Sequence, residues 1–159
     1  MPQEKIKSAL SWAAVAACMI IIFWLSSRTA DESAAQSGRV LQMLIDVFGD
    51  NMFTQFIVRK AAHFSEFAGL SFLFNIAFFQ TCKRKMPLVS IALTSLYAAT
   101  DEFHQLFVPG RSCQFSDWVI DTCGAAVGTL IFFAVIWVTV KICEKKKKLG
   151  NKFVDSENN

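Results

Sequence analysis

The chain has 159 residues, 53% of them hydrophobic, with 16 Phe but only 3 Pro and 7 Gly. That length suits one domain, and the hydrophobic share is too high for a soluble one. The net charge is only +3, and the Lys and Arg residues sit at the ends of apolar runs without forming a face on a soluble fold, which argues against nucleic acid as a partner.

From Ile6 to Leu25 the chain carries one charge, Lys7, near its start, and the run reaches the ~20 residues that a spanning helix needs. A cleaved signal peptide competes for this stretch, because Lys5 and Lys7 make a basic start. Arg28 then occupies the place where a small residue should precede the cut, so the segment reads as a retained span. Residues 28 to 56 are polar enough to leave the bilayer. Within them Val40, Leu41, Leu44, Ile45 and Phe48 recur at helical spacing, with Ser33 or Ser37 as the cap and Gly49 as the stop. This predicts a short amphipathic helix on the membrane surface or packed over the bundle, a connector that covers the site more than one that binds in it.

A second apolar run spans Phe56 to Phe79, but its first turns carry Arg59, Lys60, His63 and Glu66. Arg59, His63 and Glu66 fall on one helical stripe. Ala61, Ala62, Ser65, Ala68 and Gly69 beside them let another helix approach closely. Arg59 and Lys60 can snorkel to head groups, and His63 can pair with Glu66 one turn away. His63 and Glu66 lie deeper than the reach of snorkelling, which favours a site there.

Cys82-Lys83-Arg84-Lys85-Met86-Pro87 is a basic turn, with Pro87 suited to the first position of the next helix. The third run, Leu88 to Phe107, ends in a polar cluster. Tyr97, Asp101, His104 and Gln105 share a face there, and Glu102 lies about 100° round from Asp101, one residue of a 3.6-residue turn. Val108-Pro109-Gly110 breaks the helix. The fourth run starts after Ser116, its expected cap, with Asp117 in the first turn. Asp117, Asp121, Gly124 and Gly128 form one stripe, acidic above and a Gly-x-x-x-Gly contact pattern below, so the two aspartates face the bundle interior. Lys141 and the lysines from Lys145 to Lys148 end this helix, and residues 150–159 read as a polar, disordered cytoplasmic tail.

The expected fold is therefore all-α: a polytopic membrane helical bundle of about four transmembrane helices, plus the short amphipathic helix after the first. Lys5, Lys7, the Lys83-Arg84-Lys85 turn and the lysines after Val140 belong to one side. Arg28, Arg39, Arg59, Lys60 and Arg111 on the other are diluted by acids, so the positive-inside rule puts both termini in the cytoplasm. His63 and Glu66, Asp101 to Gln105, and Asp117 with Asp121 then meet at the outer face.

These three patches carry a resemblance. Lys60-Ala-Ala-His63-Phe-Ser-Glu66-Phe67, then Thr100-Asp101-Glu102-Phe103-His104-Gln105-Leu106-Phe107-Val108-Pro109-Gly110-Arg111, then Asp117-Trp-Val-Ile-Asp121-Thr-Cys-Gly124 resemble the VanZ-like family of bacterial membrane proteins. The likeness covers roughly residues 57 to 130 and makes residues 1–149 a VanZ-like transmembrane domain. It implies a cell-envelope role, with the glycopeptide antibiotic teicoplanin as a partner to consider, because the family's namesake confers low-level teicoplanin resistance.

Three chemistries fit the cluster. His63, Glu66, Asp101, Glu102, His104, Asp117 and Asp121 offer ligands for a divalent metal such as Zn²⁺ or Mn²⁺. The metal reading is disfavoured, because Arg59 and Arg111 can neutralise the carboxylates, with Asp121 or Glu102 as partners. Acid-base transfer on a lipid-linked envelope substrate would use His104 or His63 as base, a carboxylate to orient it, and Arg111 on a phosphate. A network that fixes helix registry and binds a membrane-lipid or envelope-precursor head group needs no catalysis. It ranks slightly first, because no nucleophile elbow or phosphate loop is present. In the catalytic reading the reacting set is His63, Glu66, Asp101, Glu102, His104 and Gln105. Arg59, Lys60, Arg111, Asp117 and Asp121 bind the ligand. The 5 cysteines read as packing residues, with no disulfide indicated between Cys113 and Cys123.

Overall fold

The computed structural model describes residues 2–48 and 54–157, so the stop expected at Gly49 lies outside the described residues. Five helices follow one another: α1 (Pro2–Ser26), α2 (Ala30–Phe48), α3 (Gln55–Cys82), α4 (Pro87–Gln105) and α5 (Phe115–Glu157), with no strand among the described residues.

Side-chain pairs fix how the helices run. α1 lies antiparallel to α3: Trp12 packs on Phe74 and Phe78, its Nε1 donates to Thr81 Oγ1 at 2.9 Å, and Lys83 meets Glu4 at 3.1 Å. α4 runs back alongside α1, with Tyr97 donating to the Met19 carbonyl at 2.6 Å and Ser26 donating to Asp101 at 2.9 Å. α5 reverses again, since Trp118 Nε1 donates to the Ser95 carbonyl at 3.1 Å while the Gln114 backbone N–H donates to Glu102 at 2.9 Å. α3 and α5 are consequently parallel. A Cβ on Gly124 would overlap the Phe64 carbonyl, and one on Gly128 the Ala68 carbonyl, so the Gly-x-x-x-Gly stripe brings two backbones into contact as its spacing predicts.

The apolar core is built from Val15, Ile22, Phe67, Leu70, Phe74, Ala77 and Ala98, so α1 is part of the packed body. Around it the polarity is inverted. Ser71, Asn75, Ser90, Thr94, Asp101, Glu102 and Asp121 are buried, whereas Leu88, Leu96, Phe103, Leu130 and Trp137 are each more than half exposed. In water that arrangement wastes apolar burial; in hydrocarbon it keeps polar groups inside and gives the lipid an apolar exterior.

Among the described residues three helices, not four, are long and apolar enough to cross a membrane: Gln3–Ser26 within α1, Gln55–Cys82 and Phe115–Lys147 within α5. α4 is the exception because Ser90, Thr94, Asp101, Glu102 and Gln105 occupy its buried face, which lowers its average while its outward face stays apolar.

Three helix ends also differ from the sequence reading. α2 starts at Ala30, so Ser33 and Ser37 lie inside it. Its cap is Thr29, whose Oγ1 accepts from the Glu32 N–H at 3.3 Å while the Glu32 carboxylate accepts from the Thr29 N–H at 3.0 Å, a reciprocal capping box. α5 starts at Phe115, which places Ser116 in its first turn. Its far end runs past Val140 to Glu157. Lysine is a good helix former, and a run of it ends an apolar span without ending the helix.

Candidate functional site

The last turns of α1 and α4 and the first turns of α3 and α5 gather at one end of the bundle. The three polar patches meet there, as the bonds between Ser26 and Asp101, Glu102 and Gln114, and Lys60 and Asp117 show.

A cavity of about 340 Å³ opens at this end between α1, α2, α3 and the loop after α4. Arg59, His63 and Glu66 form one wall as the predicted stripe, and Ile57, Ala61, Ala62 and Ser65 continue α3's surface beside them. α2 supplies the opposite wall with Ser33, Ser37, Val40 and Leu44. The amphipathic helix is thus part of the cavity itself and more than a cover. The size is at the low end of the ~300–1,000 Å³ typical of ligand pockets.

The fourth element of the cavity is Arg111, held by the turn that precedes it. Gly110 has φ 76°, open to glycine at no steric cost, and a Cβ there would come within 2.9 Å of Ala30 Cβ. The Ala30 N–H donates to the Pro109 carbonyl at 3.2 Å and the Arg111 N–H to the Val108 carbonyl at 3.1 Å. The Pro-Gly turn therefore docks on the start of α2 and carries Arg111 into the cavity.

Arg111 Nε is buried without a hydrogen-bond partner, as is His63 Nδ1. Among the described residues neither Arg59 nor Arg111 forms an ion pair. Burial, and next the Arg59 guanidinium, lower the Arg111 pKa, against an upward pull from Asp101, Glu102 and Glu66. A guanidinium keeps its proton regardless, so Arg111 brings a positive charge to the cavity.

Behind the cavity lies a hydrogen-bonded set. Gln105 Nε2 donates to Asp101 Oδ2 at 3.1 Å and to Ser26 Oγ at 3.0 Å, and Ser26 donates to the same Asp101 oxygen. Glu102, facing α5 as its 100° offset implies, accepts from the Gln114 backbone and not from an arginine. Asp121 is buried with neither oxygen partnered. Lys60, read as a snorkelling residue, instead pairs with Asp117. His63 makes no hydrogen bond to Glu66, and His104 stands apart from the cavity, its ring 4.5 Å from Phe23 and its Nε2 3.1 Å from Ser27 Oγ. Among the described residues no three His, Cys, Asp or Glu side chains lie close enough to hold a metal ion, and all five cysteines are free.

Sequence reasoning missed Ser26, Ser33 and Ser37 as site residues. The signal was present for the last two: on a helix with an apolar face, serines at positions 33 and 37 fall four apart and beside Val40 and Leu44. Ser26 at the end of a span carries no pattern of its own.

A family model described as VanZ/LLP1 matches residues 11–138, from the first turns of α1 to well within α5. No curated protein and no solved structure matches the chain.

Proposed function

The chain belongs to the VanZ/LLP1 family, and from that membership and the cavity we propose that it is a multi-pass cell-membrane protein whose outward end binds the head group of a lipid or cell-envelope compound. The observation that carries this reading is the cavity lined by Arg59, His63, Glu66 and Arg111 on a bundle with an apolar exterior. In this reading α4 crosses the membrane too. α3 and α5 are parallel spans, so the chain between them has to return across the bilayer, and α4 is the segment that does so. With four crossings both termini share a side, and Lys5, Lys7, Lys83, Arg84, Lys85 and the lysines after Val140 make that side the cytoplasm. The cavity then faces outward, where lipid-linked envelope precursors are displayed.

The test is recovery of bound lipid. Protein purified in mild detergent should carry envelope lipid detectable by native mass spectrometry, and Arg111→Gln should remove it without lost folding. Wild-type protein free of lipid and indifferent to added lipid contradicts the reading. A contribution to teicoplanin resistance, implied by the family likeness, is tested by expression in a sensitive Gram-positive host. Tolerance should rise for teicoplanin but not vancomycin, and equal responses count against it.

The second reading is an enzyme acting on a lipid-linked substrate by acid-base chemistry. It is favoured by one observation, that His63 with its free Nδ1 and Glu66 line the same cavity as Arg111. His63→Ala would then abolish turnover of a lipid-phosphate substrate in folded protein, a loss that a binding protein cannot show.

A further inference from the structure

Along α3, on the side next to the Arg59 stripe, Ala61, Ala62, Ser65 and Gly69 are all exposed, and nothing lies within 4 Å of where a Gly69 Cβ would be. The rest of the exterior carries large apolar side chains such as Leu88, Leu130 and Trp137. Ala61, Ala62 and Ser65 also line the cavity, and Gly69 continues the same exposed, small-residue face one turn further along α3. The outer end of this face is cationic: Arg59 and Arg111 are without ion pairs among the described residues, and His63 Nδ1 is unpartnered beside them.

Building on the head-group reading, we infer that the occupant is a phosphate-bearing membrane lipid, its phosphate gripped between Arg59 and Arg111 beside His63 and one acyl chain laid along Ala62, Ser65 and Gly69. Guanidinium forks match phosphate oxygens in pairs, and two arginines lining one cavity suit a phosphodiester better than a neutral sugar or an amine. The lengths agree. Ten residues separate Arg59 from Gly69, about 15 Å of helical rise, which is half of a ~30 Å hydrocarbon core and hence the depth of one leaflet. Charge also agrees, because Arg59 and Arg111 outnumber Glu66, the one carboxylate that lines the cavity with them. The small side chains make room for the chain, and the open space at Gly69 is where its lower part rests.

The test uses the full chain, delipidated in detergent, with phosphatidylglycerol, diacylglycerol and inorganic phosphate as probes and thermal unfolding as the check on folding. Phosphatidylglycerol should bind best. Arg59→Gln and Arg111→Gln should each weaken it about tenfold or more, with Arg111→Lys intermediate, since charge without the fork recovers part of the contact. Gly69→Leu, which meets no protein atom at its Cβ, should weaken phosphatidylglycerol binding by filling the open space there while leaving the protein folded. Diacylglycerol binding as tightly as phosphatidylglycerol, with the arginine variants unchanged, overturns the phosphate assignment but leaves the head-group cavity standing. Inorganic phosphate binding as tightly as the lipid, with Gly69→Leu unchanged, overturns the chain assignment. Lipid binding insensitive to all of these variants overturns both this inference and the reading on which it rests.

Discussion

Ser26, Asp101 and Gln105 show how a single buried side chain can tie two helices together. Asp101 Oδ2 accepts from both Ser26 and Gln105, and all three residues are buried. Removing one partner leaves the others short of a bond in a buried site. Ser26→Ala and Gln105→Leu should therefore each destabilise the protein by about 1–3 kcal/mol, measured by reversible unfolding in mixed micelles. The double variant should cost less than the sum by at least about 0.5 kcal/mol, because the two residues share one carboxylate; strict additivity would show that the bonds do not form. Gly110→Ala is expected to act differently, lowering lipid binding more than stability, since it displaces the loop that carries Arg111. At this scale the sequence was partly legible. Tyr97, Asp101 and His104 face α1 and Glu102 faces α5, as helical spacing requires. Which residue answers each of them was not, because a partner such as Ser26 or Gln114 is chosen by tertiary contact and leaves no mark on local pattern.

The helices themselves were read well where one face speaks for the whole segment. α1, α3 and α5 are apolar runs, and α2 shows its amphipathic stripe. Its start was misplaced, because Thr29-Ala-Asp-Glu32, a capping box in plain view, competes with the more conspicuous serines downstream. α4 is the instructive case. Its mean composition fails the test for a span because its inner face is polar, yet its outer face presents Leu88, Leu96 and Phe103. If that face meets lipid, Leu96→Asp should oppose insertion by about 3–4 kcal/mol on an insertion scale, read as the glycosylated fraction of a reporter fusion; unchanged insertion would mean that α4 lies outside the bilayer. Packing between α3 and α5 gives a second contrast. Gly128→Ala forces a Cβ into the Ala68 carbonyl and should destabilise by about 1–3 kcal/mol. Gly69→Ala enters open space and should be neutral or slightly stabilising, and equal effects at the two positions would refute the close approach.

For the molecule as a whole, α1 to α5 form a bundle whose polar ends are drawn together at one level, with basic segments at the other. The cavity, the Pro-Gly turn and the α2 wall are consequences of that arrangement, and so is the lipid proposed to occupy it. None of this follows from net charge or composition; it follows from three patches, far apart in sequence, landing at the same end. Cys113 lies in the loop beside Arg111 and Cys82 at the opposite end of α3, and both are exposed. Variants keeping only one of these cysteines, or only a Thr54→Cys thiol at the start of α3, can be treated in intact cells with a membrane-impermeant thiol reagent. The account predicts labelling at 113 and 54 from outside and at 82 only after permeabilisation. Labelling of 113 and 54 from opposite sides, or of 113 and 82 from the same side, would contradict it.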